Sequence, residues 1–160
     1  MKHKSIRELL AEQPFFHDLR DSDLDLLAGC GENAHFRAGE TIFGTGEPAD
    51  YFYLIRTGRV SLDIHAPGRA DIVISTLGPD EVLGASWLIP PYHWNFDAIA
   101  REETGAIRLD ATCLRGKCED DPALGYRLMK SFAQVIVDRL QRVRLQLLDV
   151  YGTPAARANG

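Results

Sequence analysis

The chain is short of cysteine and methionine and has no long apolar run. Three cysteines and two methionines in 160 residues cannot make a disulfide-built fold. The first residues, Met1 to Ile6, carry Lys2 and Lys4 with no apolar stretch behind them, so no secretory leader is expected. An odd number of cysteines in such a chain predicts reduced thiols and a cytoplasmic setting. No segment approaches the ~20 consecutive apolar residues of a membrane span, so no membrane partner is expected. No P-loop, nucleophile elbow or paired-carboxylate motif stands out, and catalysis is not expected. The histidines at positions 3, 17, 35, 65 and 93 contain no His-x-His pair, and the cysteines no CxxC pair, so no metal site is expected either. Cys113 and Cys118 are five apart and Cys30 is distant. Pairing the first two would need a bent segment or a helix end, and buried free thiols are the expectation.

What is present describes a globular domain. Hydrophobic residues make up 45% of the chain and charged residues 26%, and the length suits one domain spanning 1–160. There are 18 basic and 23 acidic residues, for a net charge of −5. The charge is uneven: residues 122–160 hold six basic and two acidic side chains, net +4, and residues 1–121 are net −9. An acidic body argues against general binding to a phosphate backbone.

Three regions follow along the chain. N-terminal helices are expected over about 5–30. Ser5-Ile-Arg-Glu8 is a capping box before Leu9 and Leu10. Pro14-Phe15-Phe16 interrupts, and Asp21 or Ser22 caps a second helix with Leu24, Leu26 and Leu27 on its buried face. A β roll is expected over about 35–109, with glycines at 39, 44, 46, 58, 68, 78, 84 and 105 separating short β-forming runs. Val60, Leu62 and Ile64 alternate with Ser61, Asp63 and His65, predicting a half-buried strand. Pro67-Gly68 fits the centre of a type II turn. C-terminal helices are expected over 110–151: a short one capped by Asp110, then a long one started by Asp121-Pro122 and running to Val150, roughly 43 Å. Gly152 and Pro154 stop it, and residues 152–160 form a tail.

The long helix carries a stripe at Ala133, Ile136, Leu140, Val143, Leu147 and Val150, with spacings of 3 and 4. That suits either a two-fold coiled-coil seam or a helix lying on its own roll. Leu128, Phe132, Leu145 and Leu148 lie outside the stripe. Two apolar faces favour a helix packed on its own body and on a second copy, so a homodimer with a seam at Ile136, Leu140, Val143, Leu147 and Val150 is expected.

The order of two short helices, a glycine-punctuated roll, a short helix and a long helix resembles the cyclic-nucleotide-binding domain, as in the sensor half of the CRP/FNR regulators. The resemblance is carried by Phe36-Arg-Ala-Gly39-Glu40-Thr-Ile42-Phe43-Gly-Thr-Gly46-Glu47 and Phe52-Tyr-Leu-Ile-Arg-Thr-Gly58-Arg-Val60, and covers about residues 8–151. Leu77-Gly-Pro-Asp80 and Val82-Leu-Gly84 resemble the approach to the family's phosphate-binding cassette. It implies a mainly β fold, a double-stranded β-helix or jelly roll with N-terminal helices and a long C-terminal dimerisation helix. The segments Leu83-Gly-Ala-Ser-Trp87 through Ala98, Cys113 through Tyr126, and Arg144 through Tyr151 are similar to a stand-alone bacterial branch. With the last residue at Gly160, no helix-turn-helix and no nucleic-acid partner are expected.

In the family, a Gly leads into backbone N–H groups facing the cyclic phosphate, the next Glu takes the ribose hydroxyl, and a later Arg neutralises the phosphate. Gly84 matches the Gly. Ala85 stands in the Glu position, and Trp94 or Asn95 in the Arg position. The candidate ligand residues are therefore Gly84, Ala85, Ser86, Trp87, His93, Trp94, Asn95 and Phe96, with Arg142 or Arg144 supplying charge at the pocket mouth. A hydrogen bond to a charged group contributes roughly 1.5–3 kcal/mol. Two such losses weaken binding about 10²- to 10⁴-fold, so the usual recognition of cyclic AMP or GMP is not expected. The aromatic cluster of Trp87, Tyr92, Trp94 and Phe96 could stack a planar ligand, fill the pocket as core, or face a partner. No cofactor is certain, and a small anionic or planar ligand and an unidentified protein partner remain the candidates.

Overall fold

The computed structural model describes residues 4–151, and of residues 146, 150 and 151 the backbone only. The expected helix stop at Gly152 and Pro154, the tail 152–160 and the seam side chain of Val150 lie outside the described residues.

Ser5 caps α1 (Ile6–Ala11) by accepting from the Glu8 N–H. A 3-10 turn (Pro14–Phe16) leads to α2 (Asp21–Ala28). There Asp23 reaches back to the Arg20 N–H at 2.9 Å. Leu24 and Leu27 are buried as expected, but Leu26 is exposed, because the short helix presents only one side to the roll.

Seven strands follow: β1 (Gly31–Phe36), β2 (Thr41–Phe43), β3 (Tyr51–Thr57), β4 (Val60–Ile64), β5 (Ile72–Leu77), β6 (Asp97–Ala100) and β7 (Thr104–Asp110). They form two sheets, ordered β1-β7-β3 and β2-β6-β4-β5, with antiparallel pairing throughout. The apolar core includes Phe52, Leu54 and Ile55 of β3 and Ile107 and Leu109 of β7. Gly58 ends the β3 turn at φ +94°, and a Cβ there would lie 2.5 Å from the Glu103 carbonyl oxygen. Only glycine fits that position. The Pro67-Gly68 turn is present, with Arg69 N–H donating to the Ala66 carbonyl at 3.0 Å.

The alternation expected on β4 fails at its polar positions. Ser61 and Asp63 are each 2% exposed and Ile64 is exposed. The cause is Arg101, whose guanidinium donates to Ser61 Oγ at 2.7 Å and Asp63 Oδ2 at 2.8 Å. One charge thus lets two polar side chains enter the sheet interior.

Asp110 caps α3 (Ala111–Asp120) by accepting from the Cys113 N–H at 2.7 Å. Asp121 accepts from Leu124 N–H at 3.2 Å at the start of α4 (Pro122–Tyr151), 30 residues long. Leu124, Leu128 and Phe132 face the body and are buried. The stripe at Ile136, Leu140, Val143 and Leu147 is 45% to 56% exposed, so it does not lie in its own core. Leu145 and Leu148, also outside the stripe, are exposed.

The cysteines depart from expectation. Cys30 and Cys113 form a disulfide, and only Cys118 is a free thiol. The two are 83 residues apart in sequence, but β1 pairs with β7, bringing Gly31 opposite Leu109. That register carries Cys30 to the first turn of α3. The expectation of three reduced thiols is therefore corrected.

Candidate functional site

The segment after β5 turns through Asp80, Glu81 and Val82 to Gly84, then runs irregularly to β6. Gly84 is buried, and a Cβ on it would meet Phe96 Cζ at 3.1 Å and Trp94 Cζ3 at 3.4 Å. The expected phosphate cradle is thus packed by rings from its own far end. Trp94 is 2% exposed and stacks on Phe43, ring centres 3.8 Å apart. Trp87 is fully buried between Phe52 and Phe132, at 5.3 and 5.4 Å. Both tryptophans are core residues that join the segment to the roll and to α4. Neither ring is open to a ligand. Among the candidate residues, Ala85, Ser86 and Phe96 are half-buried, and His93 and Asn95 are exposed.

The segment is held from α3. The Arg115 guanidinium donates to the Trp87 carbonyl at 2.5 Å and lies over the Tyr92 ring, 4.3 Å from its centre. Tyr92 returns a carbonyl to the Ala49 N–H at 2.7 Å.

Two cavities flank α4. A cleft of about 540 Å³ lies between the roll and the helix, lined by Leu62, Ser75, Thr76 and Phe96 on one side and Arg139, Arg142 and Val143 on the other. Its size is that of a small-molecule site. A second cavity of about 270 Å³ is lined by Phe15, Asp18, Asp80, Val82, Gln134 and Asp138, again with Arg139 and Arg142.

Arg142 lines both cavities and pairs with Glu81 at 3.3 Å. Arg144 is exposed and lines neither cavity, because it sits on the helix face away from the roll. Arg139 was not singled out. It donates to the Val82 carbonyl, its Nε is buried without a partner, and burial pulls its guanidinium below the usual range, with Glu81 opposing. Its spacing of three from Arg142, nearly one helical turn, was the available signal. Among the described residues, no group of three or more His, Cys, Asp or Glu side chains is placed to hold a metal ion. No described helix is long and apolar enough to cross a membrane.

A two-sheet roll closed by a long helix, with a cleft between them beside a Gly84-led segment, defines a ligand-sensing type of domain. The family model for the cyclic nucleotide-binding domain matches residues 33–121, and the chain belongs to that family. It is 27% identical over 146 residues to the CRP-like cAMP-activated global transcriptional regulator of Mycobacterium tuberculosis, covering 91% of this chain and 63% of the regulator. It is 28% identical over 137 residues to the cyclic AMP receptor protein of Thermus thermophilus, covering 84% of this chain and 60% of the receptor. The chain thus spans less than two thirds of these relatives. Two glutaminases of Bradyrhizobium diazoefficiens match over 21% and 22% of their length. A cyclic nucleotide-binding-like protein of Brucella abortus superposes with a TM-score of 0.59 at 30% identity, covering 72% of this chain and 99% of that one. A cyclic nucleotide-binding domain from Methylobacillus flagellatus superposes with a TM-score of 0.75 at 20% identity, covering 91% and 82%, which speaks for the fold. The mainly β fold with flanking helices and a long C-terminal helix is that of this family.

Proposed function

We propose that this chain is the sensing body of a cytoplasmic regulatory module, a single non-enzymatic domain that acts as a homodimer and signals to a protein partner through α4. The observation that carries the reading is the cleft of about 540 Å³ between the roll and α4, with Arg139 and Arg142 on its helix side. A ligand seated there touches the sheet and the helix together, so its binding energy can bias the position of α4. The ligand class this cleft suits is a small organic anion with a planar or apolar body, resting on Leu62 and Phe96.

The usual cyclic-nucleotide contacts are missing. Ala85 cannot accept from a ribose hydroxyl, and neither Trp94 nor Asn95 carries a charge for the phosphate. Relatives described as cAMP-activated therefore do not transfer their ligand to this chain. The exposed stripe at Ile136, Leu140, Val143 and Leu147 supports the homodimer. Its basic flanks suit the acidic body of a second copy better than nucleic acid.

A second reading, a ligand-free interaction scaffold, is favoured by the burial of Trp87 and Trp94, which fill the cassette. Native mass spectrometry of the purified full chain separates the two. A dimer retaining a small molecule supports the sensor. A dimer of bare chains, with no thermal shift from a panel of organic anions, supports the scaffold.

A further inference from the structure

We infer that the Cys30–Cys113 bond is a reversible oxidation site, opened by a dithiol reductant, that controls how firmly α3 holds the Trp87–Tyr92 segment. The inference is independent of any ligand in the cleft. Its basis is the connectivity around α3. Cys30 follows α2 and is 8% exposed, while Cys113 lies in the first turn of α3 and is half-buried. Both are registered on Asp110: its N–H donates to the Cys30 carbonyl at 2.8 Å, and its carboxylate accepts from the Cys113 N–H at 2.7 Å. The two thiols are therefore held as neighbours by backbone hydrogen bonds that do not depend on the S–S bond, so opening and re-forming need no refolding.

The half-turn beyond Cys113 carries Arg115, which clamps the Trp87 carbonyl and the Tyr92 ring. The remaining hydrogen bonds around this segment are few: Leu88 to Ala85, Tyr92 to Ile89, and Ala49 to Tyr92. Opening the bond removes the covalent tie on this turn of α3 while the Asp110 cap keeps Cys113 within reach of Cys30, so the change falls on the turn that carries the Arg115 clamp. The half-buried Cys113 sulfur is the one a dithiol can reach.

The chemistry balances as thiol–disulfide exchange. A thiolate of the reductant attacks the more exposed Cys113 sulfur, and Cys30 leaves as thiolate and takes a proton. The reductant's second thiol then displaces Cys113, leaving two protein thiols and an oxidised reductant. Cys118 is not the exchange partner. It packs at the α3–α4 joint against Gly125, and burial, with Asp121 and Glu119 nearby, pushes its thiol up and keeps it a poor nucleophile.

The test is alkylation mass spectrometry with hydrogen exchange on the full chain, after diamide and after dithiothreitol. After diamide, one thiol should alkylate on unfolding, and it should be Cys118. After dithiothreitol, all three should alkylate, and exchange over 87–92 and 112–118 should rise about tenfold, with β3 and β7 unchanged. Cys30→Ser should alkylate at both remaining cysteines and show the raised exchange over 87–92 and 112–118 under both conditions. Cys118→Ser should show the parent's exchange change on reduction, with no alkylatable thiol after diamide. If Cys30→Ser does not fold, the parent chain under the two treatments still decides. Three alkylatable thiols after diamide would overturn the inference. So would reduction that leaves both segments unchanged, or reduction that raises exchange throughout the roll.

Discussion

Asp23 shows how a single residue ties distant parts of the chain together. It is 1% exposed, and Arg127 of α4 donates to its two oxygens at 2.8 and 2.7 Å. Burial by itself pushes the carboxyl up, but the Arg127 hydrogen bonds and the Arg20 N–H outweigh it and hold it below the usual carboxylate range. The stability this gives is present above the unfolded carboxylate value and is lost as pH falls through the lower folded one. Urea titrations across acid pH should therefore show the parent chain weakening below about pH 4, and Asp23→Asn weaker at pH 7 with a flatter acid limb. Equal acid slopes for the two would contradict the assignment. Gly58→Ala should lose about 2–5 kcal/mol, measured by denaturant unfolding, because it combines positive φ with a clash on backbone. Neither the Asp23–Arg127 pair nor the Cys30–Cys113 bond was legible in the sequence. Their partners are 104 and 83 residues apart, and only the sheet register and helix docking bring them together.

At the scale of elements, most local chemical signals held, but the cap expected at Asp21 or Ser22 did not: the N-cap is Arg20, whose N–H is taken by Asp23, so both residues lie inside α2. Ser5, Asp110, Asp121-Pro122 and Pro67-Gly68 all act as caps or turns at the expected places. Periodicity was less reliable. It placed β4 but misassigned Ser61 and Asp63, because Arg101 supplies partners that no local pattern reveals. On α4, Leu128 and Phe132 face inward as a second apolar face requires. Leu145 and Leu148, grouped with them, are exposed because the helix extends past the body, and Val143 of the stripe lines the cleft; two predictions follow. Leu140→Glu, on a half-exposed position, should leave the unfolding midpoint within a few degrees but shift light scattering from dimer to monomer. Phe132→Ala, beneath Trp87, should instead lose about 3–5 kcal/mol of fold stability. A dimer that survives Leu140→Glu would place the interface elsewhere.

Across the whole molecule, the charge split and the cleft describe one arrangement. The acidic roll and the basic-flanked helix meet at Glu81 and Arg142, beside the opening between them. The segment from Gly84 to Phe96 stood out in the sequence residue by residue. How that segment packs was not legible, because whether Trp87 and Trp94 offer a surface or fill a core depends on Phe43, Phe52 and Phe132, which lie far away in the chain. The result is a family fold in which Phe96 and Trp94 pack against Gly84, and Arg139 and Arg142 of α4 line the cleft. The most direct measurement is isothermal titration of cyclic AMP and cyclic GMP into the reduced and the oxidised full chain. The account predicts no binding tighter than about millimolar for either nucleotide in either state. A micromolar constant for one of them would contradict it.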